Sequence, residues 1–161
     1  MTPVKENRDS SDLLPMRQEI EDLVQIVEHS RGACGLADSA EEVLNVRDIY
    51  ERMGDSVYRV RLVLTSFLAC FDEGLQQLQA ASNSGGSSEV QDAAHALRGL
   101  LLEVSAQGPA GVALRLESLS LDSAAAERAQ LVEQLAKQAT ALARLVKDVL
   151  ARTAAIDGQS Q

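Results

Sequence analysis

The chain has 161 residues, of which 45% are hydrophobic but only 2% aromatic, and its formal net charge is −9. That length suffices to bury a core, and apolar content drawn from Leu, Val and Ala favours helix packed on helix over a β-sandwich. The acidity argues against a nucleic-acid or anionic-membrane surface, each of which needs clustered Lys and Arg, and is read as ordinary solubilising charge.

No apolar run is long enough to span a bilayer, and the polar start, Met1-Thr2-Pro3-Val4-Lys5-Glu6-Asn7-Arg8, lacks the apolar core of a signal peptide. Cys34 and Cys70 are far apart and form neither a disulfide framework nor a metal-ligand pattern. The expected setting is soluble, reducing and cytoplasmic.

Residues 1–11 are polar. An amphipathic helix is predicted over about 12–29, where Met16, Ile20, Leu23, Val24 and Val27 recur at helical spacing. Pro15 suits its first turn, and Gly32 and Gly35 are expected to end it. His29 then falls in the last turn, where a cation complements the helix dipole. A linker follows over 31–38. Residues 1–38 thus form an extension whose apolar stripe must be buried on the rest of the chain, on a second copy or on a partner.

Ser39-Ala40-Glu41-Glu42 reads as a capping box that opens a short helix ending at Gly54. Asp55 is the expected N-cap of a longer helix reaching about Ala81. Val60, Leu64, Phe67, Phe71, Leu75 and Leu78 make its apolar stripe. Leu62, Val63, Leu68 and Ala69 exceed what one stripe needs. They either pack on the extension, the preferred reading for most of them, or face a partner. Cys70 reads as a small packed residue.

Residues 82–87 form a turn, and Ser88-Glu89-Val90-Gln91 is a second capping box. In the helix it opens, Val90, Ala94, Leu97, Leu101 and Val104 form the apolar stripe, and Gln91, His95, Arg98 and Leu102 a neighbouring one. Gly108-Pro109 is expected to break and restart the helix, and a short helix carries Val112, Leu116 and Leu119. Asp122-Ser123 should cap a last long helix bearing Leu131, Leu135, Leu142, Leu145, Val146 and Val149. With no strand-like alternation and short connections, the expected fold is an all-α, up-and-down antiparallel bundle over 39–155. Residues 156–161 are expected to be a flexible tail.

His95 stands out. It lies off the apolar stripe, with Arg98 and Gly99 one helical turn away on its own face. A cation beside an uncrowded imidazole suits a nucleophile that another protein must reach. Arg98 could equally pair with Asp92 or Glu103, but such surface pairs are weak and would not exclude a phosphate role.

The segment Ala93-Ala94-His95-Ala96-Leu97-Arg98-Gly99 resembles the core motif, His-x-Leu-Lys-Gly, of the histidine-containing phosphotransfer (HPt) domain family of two-component phosphorelays. The resemblance extends over about 43–150. Gly54-Asp55, Phe67, Leu75 and Leu78 precede the motif in matching order, and Val104-Ser105-Ala106 and Leu116-Glu117 follow it. Three departures are visible. Leu100-Leu101-Leu102 replaces small residues, Ser105 replaces glycine and Pro109 replaces leucine.

The resemblance implies a four-helix bundle with an additional short helix and the N-terminal amphipathic helix. It implies that His95 accepts a phosphoryl group from a receiver-domain aspartate and passes it to another receiver. Arg98 would stabilise the phosphate, and Gly99 would leave access to His95. Beside what the resemblance implies, Gln91, Leu102 and Leu68 are the candidate docking residues, with Leu102 either part of the docking patch or a hindrance to a standard receiver. The implied partners are receiver domains of response regulators or hybrid histidine kinases, with the N-terminal helix available for self-association or partner docking. The protein would need no cofactor of its own, because the partner receiver binds Mg. It would be a phosphocarrier, not an enzyme, in keeping with the absence of a P-loop or kinase-type Gly-rich loop. The alternative is a helical adaptor that binds a receiver or kinase without accepting phosphate.

Overall fold

The structure is a computed structural model that describes residues 13–34 and 43–159. Among the described residues it is all-helical: α1 (Leu13–Ala33), α2 (Val46–Arg52), α3 (Val57–Ser84), α4 (Ser87–Glu103), α5 (Gln107–Glu117) and α6 (Ala125–Gln159). α4 packs between α3 and α5, and α6 closes against both α3 and α5. The predicted stripes meet at the centre. Val60, Leu64, Phe67, Phe71, Leu78, Val90, Ala94, Leu97, Leu101 and Val104 are buried, as are Leu131, Leu135, Leu142, Leu145, Val146 and Val149, while Leu75 is half-buried against them. Each fully buried Leu or Val contributes roughly 1.5–3 kcal/mol relative to exposure.

α1 packs on α6 and α2 and buries Ile20, Leu23 and Val27 in the same core. The extension's stripe is therefore covered by the rest of its own chain. Arg47 of α2 reaches Glu21 of α1 through two hydrogen bonds of 2.9 and 2.8 Å, although a pair this exposed adds little stability.

Helix ends depart from the sequence expectations for identifiable reasons. α1 continues one turn past His29 and through Gly32, because a single glycine costs only about 1 kcal/mol relative to alanine and does not stop a packed helix. Gly35 and the box at 39–42 lie outside the described residues. Asn45 caps α2, its side chain accepting the Asp48 N–H at 3.0 Å. Asp55 is not the α3 cap, because its φ is +56° and an N-cap needs extended backbone. Ser56, at φ −126°, takes that place.

α3 runs on through Ser84 and stops at Gly85 (φ +76°), so residues 82–84 are helix and not turn. Gly86 precedes α4 without a side-chain cap, so the box at Ser88 does not form. α6 begins at Ala125, where the Ala124 carbonyl accepts from Glu127 and Arg128 at 3.1 and 3.3 Å, and Asp122 and Ser123 stay in the preceding turn. Residues 156–159 continue α6 instead of forming a tail.

Two burial expectations also fail. Cys70 lies off the stripe of α3 and is exposed, like Cys34. Leu62 and Ala69 are exposed and not covered by α1, whereas Val63 and Leu68 are half-buried against the core.

The α4–α5 corner is tied to α2. α4 ends at Glu103, and Ser105 adopts φ +53°. Its hydroxyl donates to Asp48 and accepts from Arg52 Nη2 at 2.7 Å. The same nitrogen donates to the Glu103 carbonyl at 3.0 Å. The Ser105 hydroxyl and the Arg52 guanidinium hold the Asp48 carboxyl below the ordinary carboxylate range. The break thus precedes Gly108-Pro109, and Pro109 sits inside the first turn of α5, where a missing N–H costs nothing.

Candidate functional site

Two flanks of α4 have different neighbours. Leu97 and Leu100 close over Gly74 of α3. On the other flank, α5 and the turn after it run antiparallel to α4. Ser87 donates to the Leu121 carbonyl at 3.4 Å, and Gln91 to the Leu119 carbonyl at 2.5 Å. Further along, His95 and Arg98 both meet Glu117, the last residue of α5.

His95 Nδ1 lies 2.6 Å from Glu117 Oε1. An ionised carboxylate can only accept, so Nδ1 is the donor, and in the neutral ring Nε2 then carries the lone pair. Arg98 Nη1 donates to Glu117 Oε2 at 3.0 Å. Exposure grades across the three side chains: His95 is 76% exposed, Arg98 31% and Glu117 14%. The outcome is a reachable imidazole on a largely buried carboxylate that a guanidinium also holds.

The structure brings His95 and Arg98 together through this carboxylate. Arg98 pairs with neither Asp92 nor Glu103, because α5 supplies a better-placed acid across the seam. A Cβ at Gly99 would meet nothing within 4 Å, so the surface one turn from His95 is open. Leu102 is exposed two turns from His95 on the same face. Gln91 is on that face too, but its amide is committed to Leu119. Leu68 is half-buried against the core on α3, which also packs on α4.

Two residues of the site were not assigned a role from sequence. Glu117 belonged to the Leu116-Glu117 pattern, yet only the antiparallel packing of α5 on α4 carries it to His95. Leu114, one turn before Glu117 on the same face of α5, is 46% exposed. A large apolar side chain at the outer edge of a short helix was the available signal for it.

Among the described residues, no group of three or more His, Cys, Asp or Glu side chains could hold a metal ion, and no helix is long and apolar enough to cross a membrane. His29 lies away from this site, beside Asp22, Gln25 and Arg152 at the α1–α6 groove. Comparison with protein-family models, curated proteins and solved structures finds no match to this chain.

Proposed function

We propose that this chain is a histidine phosphotransfer protein of the HPt type, with His95 as the phosphoacceptor. The observation that carries the reading is an exposed imidazole whose Nδ1 is tied to Glu117, leaving Nε2 as an outward nucleophile. In the proposed step, Nε2 attacks the phosphorus of an aspartyl phosphate on a receiver domain. The Nε2–P bond forms, the P–O bond to the donor breaks, and the aspartate leaves as a carboxylate. The ring gains a positive charge, which Glu117 faces through the Nδ1–H. The reverse step hands the group to a second receiver, whose own Mg serves the aspartate chemistry.

Two further features support this reading. α3 to α6 would be the four helices of an HPt-type up-and-down bundle, with α2 the additional short helix and α1 the extension. Ser105 stands where the family carries glycine, and its φ of +53° is a conformation glycine adopts freely. The setting we infer is the cytoplasm, and the partners are receivers of response regulators or hybrid kinases.

The exposed pair Leu102 and Leu114 favours a second reading, an adaptor that binds a receiver or kinase through the α4–α5 seam without accepting phosphate. Incubation with a panel of phosphorylated receivers separates the two. The relay predicts an acid-labile, base-stable label on the wild type and none on His95→Gln. Binding without label on either protein would make the adaptor the correct reading.

A further inference from the structure

We infer that Arg98 acts on His95 through Glu117 and not on the phosphoryl group. It is a positioning residue that holds the carboxylate against Nδ1, which departs from the phosphate-stabilising role the family resemblance implies. This rests on the phosphotransfer reading of His95.

The geometry makes Glu117 a shared acceptor. Its Oε1 takes the imidazole at 2.6 Å and its Oε2 takes Arg98 Nη1 at 3.0 Å, with the same Nη1 at 3.5 Å from Oε1. Arg98 therefore meets the site behind the carboxylate, on the Nδ1 side of the ring. To turn Nη1 onto a phosphoryl group on Nε2, it would have to give up a carboxylate that is mostly shielded from water. Among the described residues His95 has no hydrogen-bond partner besides Glu117, and its ring is largely exposed. The orientation and tautomer of the imidazole thus depend on where that carboxylate is held.

Removing Arg98 would leave Oε2 without its donor in a poorly solvated seam, and the carboxylate would turn outward to water. The Nδ1–H would lose its acceptor, and the ring would sample both tautomers and several orientations. The charge balance matters as well. The Arg98 guanidinium offsets the Glu117 carboxylate, which would otherwise repel the incoming phosphoryl group.

The test uses the full chain labelled with 15N-histidine, as wild type, Arg98→Ala, Glu117→Ala and the double variant, with folding checked by circular dichroism. Two quantities are read: the imidazole nitrogen chemical shifts, which report the tautomer, and the labelling rate with phosphoramidate, a small donor that needs no docking surface. The wild type should show the Nδ1–H tautomer. Arg98→Ala should shift the ring toward a mixture, as Glu117→Ala does, and each should slow labelling about tenfold, as loss of an orienting partner does. The double variant should be no slower than Glu117→Ala alone. An unchanged tautomer in Arg98→Ala, with a rate loss that adds to that of Glu117→Ala, would overturn the inference and put Arg98 on the phosphoryl group. If the wild type takes no label from phosphoramidate or from any receiver, the relay reading fails, and the tautomer comparison still decides whether Arg98 governs His95.

Discussion

The Nδ1 of His95 lies 2.6 Å from Oε1 of Glu117, across the seam where α5 runs antiparallel to α4. One contact between residues 22 positions apart in the chain thus fixes which imidazole nitrogen faces the carboxylate. A carboxylate in this place accepts the Nδ1–H and faces the positive charge that the ring acquires when Nε2 is substituted.

Replacing Glu117 by Gln separates these two roles. The amide oxygen still accepts from Nδ1–H, but the negative charge is gone. Glu117→Gln should keep the wild-type tautomer and slow labelling less than Glu117→Ala, which loses both and should slow it about tenfold. Phosphoramidate labelling of the two variants in parallel checks this. Equal rates would mean that charge alone matters.

Leu102 and Leu114 are exposed, so truncating either should change stability by no more than about 0.5 kcal/mol. On the proposed phosphotransfer reading, docking would suffer instead. The double variant Leu102→Ala/Leu114→Ala should weaken transfer from a phosphorylated receiver while leaving phosphoramidate labelling unchanged. By contrast, Leu97→Ala, in the fully buried stripe of the same helix, should cost about 2–5 kcal/mol in urea unfolding.

Ser105 combines a left-handed backbone with hydrogen bonds to Asp48 and Arg52. Ser105→Ala keeps the strain and loses the bonds, so it should destabilise by about 1–3 kcal/mol. Ser105→Gly loses the same bonds but relieves about 1 kcal/mol of backbone strain, and should be the more stable of the two in equilibrium unfolding.

The Asp48 carboxyl is held below its ordinary range by the Ser105 hydroxyl and then by Arg52. A depressed folded-state value means that this contribution is present above the unfolded carboxylate value, near 3.9. It is lost as pH falls through the lower folded value. Acid titration of unfolding should therefore show wild type losing its margin over Asp48→Asn as pH drops below about 4. A margin independent of pH would show that Asp48 does not couple to folding. Glu21 and Asp148, lowered by hydrogen bonds to Arg47 and Arg152, act in the same direction, but both belong to partly exposed surface pairs that add little stability.

The sequence by itself determined the helices that build the core and the residues they bury. Val90, Ala94, Leu97 and Leu101 recur at helical spacing, and a periodic apolar face has one low-energy placement, inward. It also determined that His95 lies off that face. Helix ends were less legible, because a cap depends on backbone angles that neighbours impose. Asp55 has a capping side chain but a positive φ, so Ser56 caps instead. Cys70 reads as packed by type and is exposed by position.

Tertiary structure alone decided the rest. Local spacing offers Arg98 an acid on its own helix, at Asp92 or Glu103, yet the packing of α5 supplies Glu117. The burial of α1 on its own bundle was likewise settled by which flanks meet. The physical reason is common to both. Periodicity says how much apolar surface a helix must hide, but not which neighbour hides it, and a polar contact between helices exists only once that choice is made.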